Sequence, residues 1–269
     1  MRRMQRTVTA RVTSTVTSPC EIALSVVVAD AAQRLQERLA VTVDGADVDV
    51  QEVAGPEGAR LHLLPHVPPG ELLVDYAATV ADGGAAGELT AYDNIRYLRP
   101  SRYADVDRLE STARALFGDR EGADLVTAVA DHVAEQTAYV LGSSRVTDGA
   151  SDTYLARTGV CRDFAHLTIA LLRARGVPAR MMSAFAPGLD PMDFHAVVEV
   201  HVDGAWHVVD PTRLAPRHSL VRIGTGADAA DTAFMTTHSG TMQFGELSVT
   251  ATTAGDLPAD DHTGLVPVA

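Results

Sequence analysis

Cys161, His195 and Asp210 lie far apart in the chain, yet they are the residue types that nucleophilic acyl chemistry uses. A cysteine thiolate attacks an amide carbonyl. A histidine takes the thiol's proton and later returns one to the leaving amine, while a carboxylate fixes the imidazole's tautomer and stabilises its charged form. Cys161 follows Thr158-Gly159-Val160 and opens a helical run that ends at Gly176. Free backbone N–H groups and the positive end of the helix dipole lie at such a start, and both favour a thiolate.

A hairpin supplies the two partners. Its strands are Ala196–Val202 and Ala205–Val209, and Asp203-Gly204 between them suits a two-residue turn with positive φ. Residue 202 then faces 205, 201 faces 206 and 197 faces 210. Side chains alternate along a strand, so His195 and residue 197 share a face. Asp210 lies diagonally across from His195 on that face, roughly 7–8 Å away between Cα atoms and within side-chain reach. A slip of one residue would send Asp210 to the other side, so the pairing depends on that turn.

Three blocks of sequence now carry a resemblance: Thr158-Gly-Val-Cys-Arg-Asp-Phe-Ala-His-Leu, Asp193-Phe-His-Ala-Val-Val-Glu-Val and Trp206-His-Val-Val-Asp-Pro-Thr-Arg. In this order they resemble the signature blocks of the bacterial transglutaminase-like superfamily, cysteine enzymes with an inverted papain-type core. The resemblance covers about residues 97 to 240, and the first hundred residues are similar in character to the N-terminal region such proteins carry. It implies that Cys161 is the nucleophile, His195 the base and Asp210 the orienting acid. It also implies a peptide or amide substrate and a thioester intermediate, and members range over transglutaminases, peptidases, amidases and inactive relatives. The expected function is thiol-dependent hydrolysis or acyl transfer, with peptidase or amidase action favoured over crosslinking. The alternative is a weakly active or non-catalytic binding and assembly protein on the same fold.

Neighbouring polar residues have simpler readings. His166 lies five residues along the helix from Cys161, about 140° around, and is expected to be structural. Asp163 falls in the helix's first turn, where a carboxylate caps free N–H groups, and its charge would oppose a thiolate. His195, His201 and a nearby carboxylate invite a metal reading, but His207 faces the other side and no further ligand motif accompanies them, so no metal and no cofactor are expected. Cys20 sits alone in a strand and is expected to be core. Trp206 shares the His195 face and suits either packing or the substrate cleft. One oxyanion donor is the backbone N–H of Cys161; the second falls somewhere in Tyr139 to Tyr154 and stays open.

The elements that must hold these residues divide the chain. Residues 1–98 read as an N-terminal antiparallel β-sandwich, with strands at Thr7–Val16, Glu21–Ala29, Leu39–Val43, Val48–Val50, Arg60–Leu64 and Glu71–Val80 and a turn at Asp44-Gly45. Residues 99–255 read as the transglutaminase-like core, making the whole an α+β protein. Helices are expected over 105–117 and 121–140, a polar loop over 142–150, a buried helix from Cys161, a strand over Met181–Ala186, the hairpin, and a last strand over Glu246–Thr253. Residues 256–269 are acidic and expected to fray.

Composition narrows the class. The chain has 269 residues, 46% hydrophobic and 21% charged, a globular balance. A net charge of −13 repels phosphate backbones and argues against nucleic-acid binding. All 22 basic residues are arginine. No apolar run is long enough to span a membrane. The basic start Met1-Arg-Arg is followed by alternating Thr, Val and Arg rather than an apolar segment, so no signal peptide and a cytoplasmic location are expected. Two cysteines are too few for a disulfide framework. Oligomeric state has no sequence signal.

Overall fold

Alternation of apolar and polar residues makes the first strand long. In β1 (Arg6–Leu24) the side chains of Val8, Ala10, Val12, Ser14 and Val16 point inward and their neighbours outward. The computed structural model describes residues 4–81 and 87–268. The basic start at residues 1–3, on which the location argument leaned, lies outside the described residues.

Five further strands complete the N-terminal region: β2 (Gln33–Val43), β3 (Ala46–Asp47), β4 (Gln51–Ala54), β5 (Arg60–Val67) and β6 (Gly70–Ala81). They form one continuous antiparallel sheet in the order β3-β2-β6-β1-β5-β4. β1 serves both halves, pairing with β6 over Arg6–Val16 and with β5 over Cys20–Leu24. Asp44 (φ 51°) and Gly45 (φ 80°) form the expected turn between β2 and β3.

The core follows with α1 (Ala91–Arg96), α2 (Val106–Phe117), α3 (Gly122–Gln136), β7 (Ala138–Tyr139), α4 (Ala150–Ala156), β8 (Thr158–Gly159) and α5 (Cys161–Ala174). Then come β9 (Ala179–Phe185), β10 (Phe194–Val202), β11 (Ala205–Val209), β12 (Val221–Gly226), α6 (Ala229–Thr232), β13 (Met235–Thr253) and β14 (Val266–Pro267). The second sheet runs β12-β9-β10-β11-β14. α5 is buried from Asp163 to Arg173 and packs with α2, α3 and the sheet side chains Met181, Val198 and Val200. No helix among the described residues is long and apolar enough to cross a membrane.

Several boundaries differ from expectation: the helix expected over 121–140 ends at Gln136, where β7 pairs with β8 instead, and two others reach further. β13 is 19 residues long, not eight, and pairs along β1 from Arg6↔Thr253 to Leu24↔Met235. The stretch expected to belong to the core, residues 99–255, therefore ends in a strand of the first sheet, and the core is an insertion between β6 and β13. The physical reason is backbone pairing: β13 is mostly exposed, and β1's open edge holds it extended where apolar alternation is lacking. Nor is the acidic C-terminal segment frayed. Arg217 grips Asp260 through Nε and Nη2 at 2.9 and 2.8 Å, Val266 pairs with Val208 of β11, and Val268 is buried. A long-range ion pair and a sheet edge override the local polar composition.

Three apolar clusters result, and the first crosses the two regions: Phe185, Val221 and Ile223 of the second sheet pack with Ile22, Leu24 and Tyr76 of the first. A buried charge network spans the same junction. Arg180 Nε meets Glu199 Oε2 at 2.7 Å and its Nη1 meets Glu57 Oε1 at 3.3 Å, while Arg222 also pairs with Glu199.

Candidate active site

Cys161 is the first residue of α5, and its surroundings explain the residues that precede and follow it. The carboxylate of Asp163 accepts the Val160 backbone N–H at 2.8 Å, closing the helix start. Asp163 can come that close because residue 159 is glycine: a Cβ there would stand 2.6 Å from the Asp163 Cβ. Asp163 is fully buried and also meets Arg162 Nη2 at 3.3 Å. It is structural, as its position in the first turn suggests. Arg162 Nη2 also donates to the Arg145 carbonyl at 2.8 Å, which ties the 140–149 loop beside the cysteine.

The hairpin places the partners. Asp203 (φ 52°) and Gly204 (φ 79°) form the two-residue turn, and the ladder runs Val202↔Ala205, His201↔Trp206 to Val198↔Val209. His195 Nε2 and Asp210 Oδ2 lie 2.9 Å apart. The carboxylate's other oxygen accepts from the Thr212 backbone N–H at 2.9 Å and the Thr212 hydroxyl at 2.7 Å. Both side chains are out of solvent.

The electrostatics of the pair are decided by contact rather than burial. Burial alone would lower the His195 imidazole, but the charge and hydrogen bond of Asp210, with a further contribution from Cys161, raise it above the ordinary histidine range. Burial alone would raise the Asp210 carboxyl; His195 and the Thr212 donors reverse this and hold it below the usual carboxylate range. With Nε2 committed to Asp210, His195 Nδ1 has no hydrogen-bond partner among the described residues and is the nitrogen left for the thiol. Such contacts are commonly long before substrate binds.

Tyr139 is the residue that sequence reasoning did not single out. β7 and β8 form a two-residue parallel bridge, Tyr139↔Gly159, immediately before the cysteine. That bridge brings Tyr139 close to Cys161. Burial first, and then the negative charge of a Cys161 thiolate, push the phenol up to about 12. Tyr139 lies in 139–154, the stretch within which the second oxyanion donor stayed open, and its nearness to Cys161 comes from the non-local bridge. Thr212 carries a fainter local signal, because an Asp followed two residues later by Thr suits an Asx turn.

The remaining candidates have structural surroundings. His166 is fully buried, stacks on Tyr103 and accepts the Ala229 N–H at 3.2 Å; burial holds it well below the ordinary histidine range. Trp206 packs rather than lining a cleft: the Arg180 guanidinium sits 3.9 Å from its ring centroid, with Tyr97 and His201 against its edges. Cys20 is buried. Among the described residues no cluster of three or more His, Cys, Asp or Glu side chains is arranged to hold a metal ion.

A cavity of about 510 Å³ opens on Cys161 and His195, within the roughly 300–1,000 Å³ of ordinary ligand sites. Its lining comes from both sheets. Met181, Phe194 and Ile223 belong to the core, whereas Met235 and Leu247 belong to β13 and Ser25 directly follows β1.

Residues 110–211 match the transglutaminase-like superfamily. The chain is 31% identical to a candidate cysteine protease from Cytophaga hutchinsonii, whose crystal structure superposes with a TM-score of 0.88 over 99% of this chain and 98% of that one. It is also 29% identical over 146 residues to an uncharacterised protein of Mycobacterium leprae, covering 51% of this chain and 52% of that one. A Mycobacterium tuberculosis protein, also uncharacterised, is 29% identical over 150 residues, or 50% and 47% of the two chains. The match thus spans about half the length of these curated relatives.

Proposed function

We propose that this chain, which belongs to the transglutaminase-like superfamily, is a thiol-dependent hydrolase of peptide or amide bonds. The observation that carries this reading is the 2.9 Å contact between His195 Nε2 and Asp210 Oδ2 beside a cysteine at a helix start. Cys161 gives its proton to His195 Nδ1, and its sulfur attacks the substrate carbonyl. As the S–C bond forms, the carbonyl oxygen becomes an oxyanion that meets the Cys161 N–H and the Tyr139 hydroxyl. The C–N bond then breaks, and the amine leaves with the proton from His195. Water attacks the resulting thioester, His195 takes water's proton, and the C–S bond breaks to release the acid and restore the thiolate.

Water is favoured as acceptor because it is always present, whereas an amine must be supplied. Incubation with a peptide library followed by intact-mass analysis tests the reading: an acyl adduct should map to Cys161. A folded protein whose Cys161 neither acylates nor reacts with iodoacetamide would favour a binding role instead.

A further inference from the structure

The wall facing the catalytic cysteine is neither polar nor built by the core alone. The side chains that line the cavity beside Cys161 include Met181, Phe194, Ile223, Phe234, Met235 and Leu247. Phe194 and Phe234 lie in a run of touching rings that begins in the interior. Tyr76 to Phe185 is 6.1 Å between centroids, Phe185 to Phe194 5.4 Å, Phe194 to Phe234 5.6 Å and Phe234 to Phe244 5.9 Å. The inner end of the run is buried at Tyr76, and the outer end is half-exposed at Phe244. The Ser25 N–H donates to the Phe234 carbonyl at 2.9 Å, pinning this wall to the first sheet. These contacts make the wall a fixed surface.

We infer that this cavity is the subsite for a large apolar side chain, aromatic or branched aliphatic, on the acyl side of the scissile bond. The inference rests on the reading that Cys161 forms a thioester. Apolar walls gain from an apolar guest and penalise a charged one wherever no counter-charge meets it. The acyl portion is assigned to the cavity because it stays on the sulfur through both half-reactions, whereas the amine departs past His195. Two charged groups, Arg162 and Asp193, also line the cavity. Arg162 Nη2 is engaged with Asp163 and the 140–149 loop while its Nε has no hydrogen-bond partner among the described residues, and the Asp193 carboxylate accepts the Phe194 N–H at 2.7 Å. Neither changes the apolar character of the opposing wall. Phe194 adjoins His195 in sequence, so the strand that carries the base also carries part of the wall.

The test uses N-acetylated phenylalanyl, leucyl, alanyl and aspartyl chloromethyl ketones on the full chain, with iodoacetamide as a probe lacking a side chain. In each case the Cys161 sulfur forms a C–S bond and displaces the halide. Adduct formation is followed by intact mass and peptide mapping. The phenylalanyl and leucyl reagents should label Cys161 about ten- to a hundred-fold faster than the aspartyl one, the range that burial of one such side chain supports. Leu247→Glu should collapse that ratio by about ten-fold, and thermal unfolding checks its fold. If that variant fails to fold, Ala233→Phe, at an exposed position lining the same cavity, should narrow the site and cut phenylalanyl labelling selectively. Labelling by iodoacetamide with no apolar preference overturns the subsite alone. No labelling of Cys161 by any reagent overturns the acyl-transfer reading.

Discussion

His195 and Asp210 meet at 2.9 Å beyond the end of the ladder that joins their strands, whose last regular pair is Val198 opposite Val209. The regular β10–β11 pairing stops short of them. Thr212 clamps the far oxygen of Asp210 and leaves the near one for the imidazole.

Asp210→Asn should therefore change both chemistry and titration. Without the anion, burial is opposed only by the smaller contribution of Cys161, so its imidazole should fall from well above the usual value near 6.5. The histidine ring signals followed by NMR across pH read this directly, and a His195 that does not move would refute the assignment. Turnover should fall by about 10³–10⁴-fold through loss of the correct tautomer. The stability signs are opposite for the two partners. His195 binds its proton more tightly in the fold, so its contribution is full below the unfolded value and lost as pH rises through the folded one. Asp210 contributes above the unfolded carboxyl value and is lost as pH falls through its depressed one. Urea midpoints should therefore decline on both sides of neutrality in the wild type, and the variant should lack both contributions.

Cys161→Ala should abolish hydrolysis while leaving the unfolding midpoint within about 1 kcal/mol of the wild type. Tyr139→Phe should keep the thiol reactive to iodoacetamide but lower kcat by about 10²-fold with KM little altered, the signature of a donor used only in the transition state. An unchanged kcat would remove Tyr139 from the oxyanion site.

Much of this site is legible in sequence, for reasons tied to particular residues. Asp203-Gly204 sets a turn, the turn sets a register, and the register brings Asp210 to the His195 face; each step is local. Cys161 is legible because a helix must start near Gly159. Other parts depend on contacts between distant segments. Tyr139 is placed by a two-residue bridge to Gly159 that has no periodicity to reveal it. β12 contains two glycines and little alternation, and β13 contains Met235-Thr-Thr-His-Ser-Gly, which reads as loop until β1 offers an edge. The helices at 91–96 and 150–156 are each under two turns and too short for a periodic signal.

Gly159→Ala, two residues before Cys161, changes none of the proposed reacting groups and should still silence the site. The added methyl would stand 2.6 Å from the Asp163 Cβ, so the carboxylate must leave the Val160 N–H and the first turn of α5 must shift. Activity should drop by about 10²-fold, since misplacement of about 1 Å costs that much. A variant with full activity would show that the close approach has no bearing on the thiol.

Asp260→Ala should destabilise the chain by about 3 kcal/mol, because it strands the Arg217 guanidinium in a site where both partners are nearly inaccessible. Arg217 holds the Asp260 carboxyl far below the usual carboxylate range. Its contribution is present above that range and lost only in strong acid, as pH falls through the depressed value. Urea unfolding at neutral pH checks the magnitude, and equal midpoints would show that the ion pair adds nothing to the hold on the C-terminal segment.

The absence of lysine gives a further expectation. With no ε-amine in the sequence, the purified chain incubated alone should form no ladder of isopeptide-linked multimers. Reducing, denaturing electrophoresis with mass spectrometry of any higher band decides it, and an isopeptide-linked ladder would reveal a different acceptor.

The pairing of β1 with β13 also orders events during synthesis. A ribosome delivers the chain from its N-terminus, and early segments begin to fold before later ones exist. Arg6 must wait for Thr253, and Leu24 for Met235, before the sheet's open edge is covered. A nascent chain halted before Phe234 already contains Cys161, His195 and Asp210 but lacks the far wall of the cavity. The residues proposed for chemistry thus leave the ribosome before the wall proposed to select the substrate.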